Sequence, residues 1–272
     1  MKSWKEKYGS WGLVAGAAEG LGKAFSEALA NRGMHMILID NQEEKLYATA
    51  DTIENKYGIR TKKLLLDLSV IGSLQAIFES IEDLDCRLIV YNAAYGPVKP
   101  FIKHSVSELD YYIDLNSRMP LHLTFHFIKN LPEGSSAGII LLSSLAGLYG
   151  TNLVAPYGAT KAFNFNLAEA LYHEYRSKGI DILACCAGAT DTPNYRNTFP
   201  KYGIIKPSVT SPRIVAESTL KKLGKKGLHI PGIGNRIIFS LLSHIFTRKS
   251  VSYLMNKTMQ RMYGYRFEPE ND

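Results

Sequence analysis

The stretch "SSLAGLYGTNLVAPYGATK" holds a hydroxyl, a phenol and an amine, Ser144, Tyr157 and Lys161, at spacings that suit proton transfer. Tyr157 and Lys161 are four residues apart, so on a helix they share a face one turn apart and the ammonium can act on the phenol. An unperturbed tyrosine titrates near ~10, and a neighbouring cation favours its phenolate, moving it toward the acid/base range. Ser144 can donate a hydrogen bond to a substrate oxygen on which charge develops. Alone, Tyr-x-x-x-Lys also fits a lysine stem lying over an aromatic ring. A second constellation, "LVAGAAEGLGKAF", sets Gly16, Gly20 and Gly22 between an apolar run and an amphipathic one. Glycines at fixed offsets suit a turn built around a bulky polar ligand or an ordinary strand-to-helix turn.

The elements that must position these residues follow from hydrophobic periodicity. Apolar runs ("WGLVAG", "MHMILID", "RTKKLLLDL", "RLIVYNA", "AGIILLSS", "GIDILACCAG", "GLHIPG") alternate with helical patterns, including one from about Pro156 to Lys178. Seven strands interleaved with amphipathic helices predict βαβ units and a doubly wound, Rossmann-type parallel sheet with helices on both faces. No linker or repeat interrupts the chain, so a single domain over residues 1–272 is expected, with about 190–267 forming a substrate lid and a basic C-terminal helical region. The three glycines then fall after the first strand and open the first crossover helix, where backbone N–H groups and a helix N-terminus can hold a pyrophosphate. Their spacing is Gly-x-x-x-Gly-x-Gly, unlike the Gly-x-Gly-x-x-Gly of the most familiar dinucleotide fingerprint.

The second strand ends at Asp40, whose carboxylate can accept from adenosine ribose hydroxyls and repel a 2′-phosphate, favouring NAD over NADP. It can also N-cap the helix beginning "NQEEKL", with Glu43 completing a capping box. No Arg or Lys lies near Asp40 in the sequence, and Glu19 holds the loop position where a phosphate-binding base would be expected.

Together, the glycine loop and the Ser-Tyr-Lys set make the sequence resemble the short-chain dehydrogenase/reductase family from Trp11 to about Thr192. The resemblance implies that Tyr157 is the acid/base, that Lys161 binds the nicotinamide ribose and lowers the tyrosine pKa, and that Ser144, thirteen residues before the tyrosine, orients the reacting oxygen. It places Ala18, Glu19 and Leu21 in the cofactor loop and Asn116 where the family has a helix-kinking asparagine that holds a water in the proton relay. Asn92 and Ala93 follow the fourth strand, where Asn92 either contacts the adenosine ribose or stabilises the sheet edge. Asp67 and Leu68 fall where the family reads the adenine edge, although Asp67 also fits a helix cap. Ala187-Gly188 replaces the usual Pro-Gly, and Thr190 and Thr192 follow in the nicotinamide loop. Ala15 replaces a threonine whose hydroxyl ties the loop to the fourth strand, which implies a softer loop. Dimers and tetramers are common in the family.

Composition limits the remaining possibilities. The apolar runs fall far short of the ~20 residues needed to cross a bilayer, and adjoining Cys185 and Cys186 read with Cys86 as buried thiols in a cytoplasmic protein. Residues 201–267 carry 13 Lys and Arg against one acid, Glu217, whereas residues 1–200 carry 19 bases and 21 acids. A basic face of this kind suits an anionic substrate, an acidic partner or a membrane surface, and no motif for nucleic acid accompanies it. The seven histidines, including His122 and His126, lack partners at metal-ligand spacing, so no metal is expected. Tyr195, Phe199, Tyr202 and Ile204 sit in an irregular stretch that reads as a mobile lid over a hydrophobic substrate or as a packed surface loop. Tyr95, Ser144, Tyr149, Tyr195 and Phe199 are the expected substrate contacts. The following basic helical segment, with a break expected near Thr247, caps the cleft, meets a partner subunit or lies on a membrane. These features fit an NAD-preferring oxidoreductase of a large apolar alcohol or ketone, such as a hydroxysteroid or bile acid; the alternatives are a 3-oxoacyl reductase and a nucleotide sensor without turnover.

Overall fold

Each apolar run that precedes a helical pattern forms a strand. The computed structural model describes residues 3–202, 207–245 and 247–267. The strands are β1 (Trp11–Ala15), β2 (His35–Asp40), β3 (Thr61–Leu65), β4 (Cys86–Tyr91), β5 (Ala137–Ser144), β6 (Ile180–Ala187) and β7 (Leu228–His229). They form one parallel sheet in the order β3-β2-β1-β4-β5-β6-β7. Strand order reverses between β1 and β4, which opens a crevice at their carboxyl ends, the place where such sheets bind ligands.

The helices are α1 (Trp4–Tyr8), α2 (Gly20–Ala30), α3 (Glu43–Tyr57), α4 (Ser73–Ile81), α5 (Val106–Ile113), α6 (Met119–Lys129), α7 (Ala155–Tyr175), α8 (Pro193–Arg196), α9 (Pro212–Leu220), α10 (Ile233–Ile245) and α11 (Arg248–Tyr263). Successive strand residues feed opposite core layers: Val14, Met36 and Leu38 pack with α2 and α3, while Leu13, Ile37 and Ile39 pack on the face that holds Leu74, Leu123 and Ala168. Burial on both faces accounts for the continuous apolar runs of the strands.

Two local expectations change. The cap of α3 is Gln42, so Asp40 and Glu43 form no capping box, and the cap of α4 is Gly72, so Asp67 does not cap it. Asp67 instead accepts from the amide and hydroxyl of Ser69 at 2.9 and 2.8 Å. At Ala15, which lacks the expected hydroxyl, the amides of Asn92 and Ala93 both donate to the carbonyl, at 3.0 and 2.9 Å, and tie the chain after β4 to the glycine loop. The break near Thr247 is present, and its side chain accepts from the Ser250 amide to start α11. Ile204 lies outside the described residues.

Candidate active site

The glycine loop is shaped by close backbone approach. A Cβ on Gly22 would lie 1.7 Å from the Gly16 carbonyl oxygen, and Gly16 itself has φ +76°, so neither position accepts a side chain. Asn92 Nδ2 donates to that same Gly16 carbonyl at 2.8 Å, which makes Asn92 a tie between β4 and the loop. Glu19, the N-cap of α2, forms no side-chain cap bond, and the first turn contains no acidic residue. The first-turn amides are therefore available to an anion along the helix axis. Ala18 and Gly22 are buried behind this surface and do not line the cleft, whereas Gly16, Glu19, Gly20 and Leu21 do.

From this loop one cleft of about 1610 Å³ extends past the ends of β4 and β5 to α11. It exceeds the ~300–1,000 Å³ of a site for one drug-sized ligand, so a dinucleotide and a second large molecule fit together. Its first end is lined by Glu19, Asp40, Lys45, Asp67, Leu68, Asn92 and Ala93. Asp40 accepts from the amides of Ala18, Asn41 and Gln42 at 3.0, 2.9 and 3.1 Å, which clamps β2 to the glycine loop. Lys45, which sequence reasoning missed although it stands five residues after Asp40, reaches this end from the first turn of α3. Its ammonium donates to Glu19 Oε2 at 2.8 Å and to Gln42 Oε1 at 2.7 Å.

Ser144, Tyr157 and Lys161 meet in the middle of the cleft. Ser144 ends β5, and its hydroxyl accepts from the Ala146 amide at 3.2 Å, starting the turn over Leu145–Gly147. The other two project from α7, along a stripe with buried Gly158, Thr160, Asn164 and Ala168. Burial raises the Tyr157 pKa, and a hydrogen bond from Ser144 opposes that rise. Lys161 does not sit on the phenol oxygen; its Nζ is 5.6 Å from the ring centroid and donates to the Leu142 carbonyl at 2.8 Å. Burial pushes its pKa down to about 8. Ser143 faces away, donating to the Lys161 carbonyl at 2.7 Å.

Asn116 lies within a π-turn at Asp114–Arg118 that joins α5 to α6, and it is fully buried rather than part of the cleft wall. Its Oδ1 accepts from the Tyr95 amide at 2.9 Å, and its Nδ2 donates to the Tyr95 carbonyl at 2.8 Å and to Thr160 Oγ1 at 3.1 Å. Asn164 Nδ2 donates to the Asn116 carbonyl at 2.9 Å. Sequence reasoning missed Thr160 and Asn164, although each lies at helical spacing from Tyr157 or Lys161.

On the side of the cleft below α8, Gly188, Thr190 and Thr192 line the wall. Thr192 Oγ1 accepts from the Tyr195 amide to cap α8, which leaves its proton for another acceptor. Tyr95 and Tyr195 also line the cleft, but two expected substrate contacts do not: Tyr149 packs near Phe239 and Arg248, and Phe199 is 70% exposed with φ +49°. Both are turned away by the turns that carry them. Hydrogen bonds tie the described part of this irregular stretch to the C-terminal segment. Lys201 N donates to the Met262 carbonyl at 3.1 Å, Tyr265 Oη to the Phe199 carbonyl at 2.8 Å, and Tyr195 and Tyr202 share a hydroxyl bond of 2.9 Å. Among the described residues no three His, Cys, Asp or Glu side chains could hold a metal together, and no helix is long and apolar enough to cross a membrane.

Comparison with known proteins gives this geometry a context. A 7β-hydroxysteroid dehydrogenase of Collinsella aerofaciens is 32% identical over 241 residues, covering 85% of this chain and 89% of that protein. A very-long-chain 3-oxoacyl-CoA reductase of Anas platyrhynchos is 35% identical over 180 residues, covering 63% of this chain but 57% of the reductase. A structure from work on 7β-hydroxysteroid dehydrogenase stereoselectivity superposes with a TM-score of 0.86 at 29% identity, covering 93% of this chain and 99% of that one. The family model for short chain dehydrogenases matches residues 11–203, from the start of β1 to beyond α8, and the chain belongs to the short-chain dehydrogenase family.

Proposed function

We propose that the chain interconverts a secondary alcohol and a ketone on a large apolar ring system, as a hydroxysteroid dehydrogenase. The observation that carries this reading is the convergence of Ser144, Tyr157 and Lys161 at the midpoint of a cleft long enough for a dinucleotide and a steroid-sized molecule. The amides at the start of α2 would hold the pyrophosphate, Asp67 and Leu68 would border the adenine, and Thr190 and Thr192 would border the nicotinamide. A bound nicotinamide dinucleotide supplies or accepts the hydride. The hydroxyls of Ser144 and Tyr157 both bond the substrate oxygen. In reduction Tyr157 gives that oxygen its proton, and in oxidation it takes the hydroxyl proton back. Lys161 keeps a positive charge beneath the site and bonds the adjacent ribose.

NAD is the preferred cofactor in this reading, because Glu19, Asp40 and Asp67 outnumber the single base at the adenosine end and Glu19 already neutralises Lys45. The three buried free cysteines suit the cytoplasm. Exposed Ile113, Leu121, Phe125 and Phe163 form an apolar face on α5, α6 and α7 that a second copy would cover in a dimer or tetramer. The 3-oxoacyl-CoA reductase likeness supports a second reading, reduction of a fatty acyl ketone at the same residues. Tyr157→Phe tests the reaction. Turnover of a 7β-hydroxysteroid, followed by NADH absorbance, should fall by at least ~100-fold while dinucleotide affinity is kept; retained turnover would refute the proton-transfer role.

A further inference from the structure

The substrate half of the cleft has a charge pattern that hydride and proton transfer do not use. Its walls come from the segment after α8 and from α11, where Leu254, Met259 and Met262 are interleaved with Lys201, Lys257 and Arg261. Lys257 and Arg261 are four residues apart on α11 and therefore share a helix face. Among the described residues none of the three cations forms an ion pair with a carboxylate. Lys201 Nζ lies 3.8 Å from the Tyr265 ring centroid, and Lys257 Nζ lies 5.9 Å from that of Tyr253. The acids that line the cleft, Glu19, Asp40 and Asp67, all follow β1, β2 or β3, on the other side of the strand-order reversal. Asp191, ten residues before Lys201, is paired with Arg196 at 2.7 Å, and Glu217, the one acid within residues 201–267, is engaged by Arg32 at 2.6 Å. Like charges grouped without a counter-charge focus a positive potential into a low-dielectric cleft, and an anion seated there relieves their repulsion.

We infer that Lys201, Lys257 and Arg261 form a recognition site for an anionic tail. The chain then selects amphipathic alcohols or ketones whose carboxylate, sulfonate or phosphate lies at the end remote from the reacting carbon. The inference rests on the reaction proposed at Ser144 and Tyr157, which places that carbon mid-cleft. The methionines, flexible and polarisable, pack against an apolar body of irregular outline while the three cations hold its charged end. Two molecules carry this chemistry, a steroid acid through its side-chain carboxylate and a coenzyme A thioester through its phosphates.

The test compares charged and uncharged partners of one skeleton, using a 7β-hydroxylated bile acid with its methyl ester and a 3-oxoacyl-coenzyme A with its N-acetylcysteamine thioester. KM and, separately, calorimetric Kd in the presence of NAD are measured for the wild type and for a Lys257→Gln, Arg261→Gln variant. The wild type should bind the bile acid about fivefold or more tightly than its ester, and added salt should shrink this ratio. In the variant the ratio should approach one. The same pattern confined to the thioester pair also supports the anion site and assigns it to phosphates. Equal affinity within both pairs, or a ratio unchanged in the variant, overturns the inference. A charge-dependent Kd without turnover of any probe would refute the proposed reaction while upholding the anion site.

Discussion

At the scale of single residues, Lys161 is a charged group held almost wholly out of water. It is 2% exposed, its ammonium bonds one carbonyl, and burial lowers its pKa to about 8, whereas an unfolded lysine keeps its proton to ~10.4. Below about 8 both states are protonated and the folded chain bears the full desolvation cost. Between about 8 and ~10.4 the unfolded chain binds more protons, so the contribution of Lys161 to stability rises with pH across that window. Relative to Lys161→Met, the wild type should gain roughly 3 kcal/mol over the interval. Denaturant unfolding of both proteins at three pH values across it would show the gain, and parallel pH profiles would exclude burial of the ammonium as its cause. The helical spacing of Tyr157 and Lys161 is visible in the sequence. The acceptor for Lys161 is not, since Leu142 stands nineteen residues earlier on a strand.

At the scale of elements, the cofactor preference proposed above rests on the place where the N-terminus of α2 faces α3. The sequence places Asp40 and Glu19 at this end, but only packing carries Lys45 back across the cleft rim to pair with Glu19. Asp40 spends its carboxylate on three backbone amides and acts largely as a clamp. Glu19 is therefore the better handle on preference. Glu19→Gln removes one negative charge and frees Lys45 for a 2′-phosphate, and it should shift the ratio of kcat/KM for NADP to that for NAD upward by about tenfold. An unchanged ratio would mean that Lys45 does not reach the phosphate position. The π-turn has a comparable logic. Asn116 is legible as a polar residue in a helical pattern, but its bonds to Tyr95 and Thr160 exist because three separate elements converge on it.

At the scale of the whole molecule, α11 is fastened over the substrate end. Asn256 Oδ1 accepts from the Asn152 amide at 2.6 Å and its Nδ2 donates to the Gly150 carbonyl at 3.1 Å, joining α11 to the loop after β5. These bonds involve neither α6 nor the exposed face of α7, where Phe125 is 59% and Phe163 38% exposed. If a second copy covers this face as proposed, Phe125→Asp should shift the protein to monomers in sedimentation equilibrium, with the melting temperature of the isolated subunit little altered because an exposed side chain is replaced. A wild type that sediments as a monomer would dismiss the interface.

The sequence by itself determined the alternation of strands and helices, the glycine turn before α2 and the pairing of Tyr157 with Lys161. Each is written in local periodicity or in a short-range steric demand, such as that of Gly22 against Gly16. Tertiary structure alone decided that Asp40 clamps rather than caps, that Lys45 pairs with Glu19, that Tyr149 and Phe199 leave the cleft while Tyr95 and Tyr195 stay, and that Lys201 lines the same cleft as Lys257 and Arg261. Those outcomes depend on contacts between residues distant in the chain, whose geometry is set by the order of the strands and by where α11 crosses their ends.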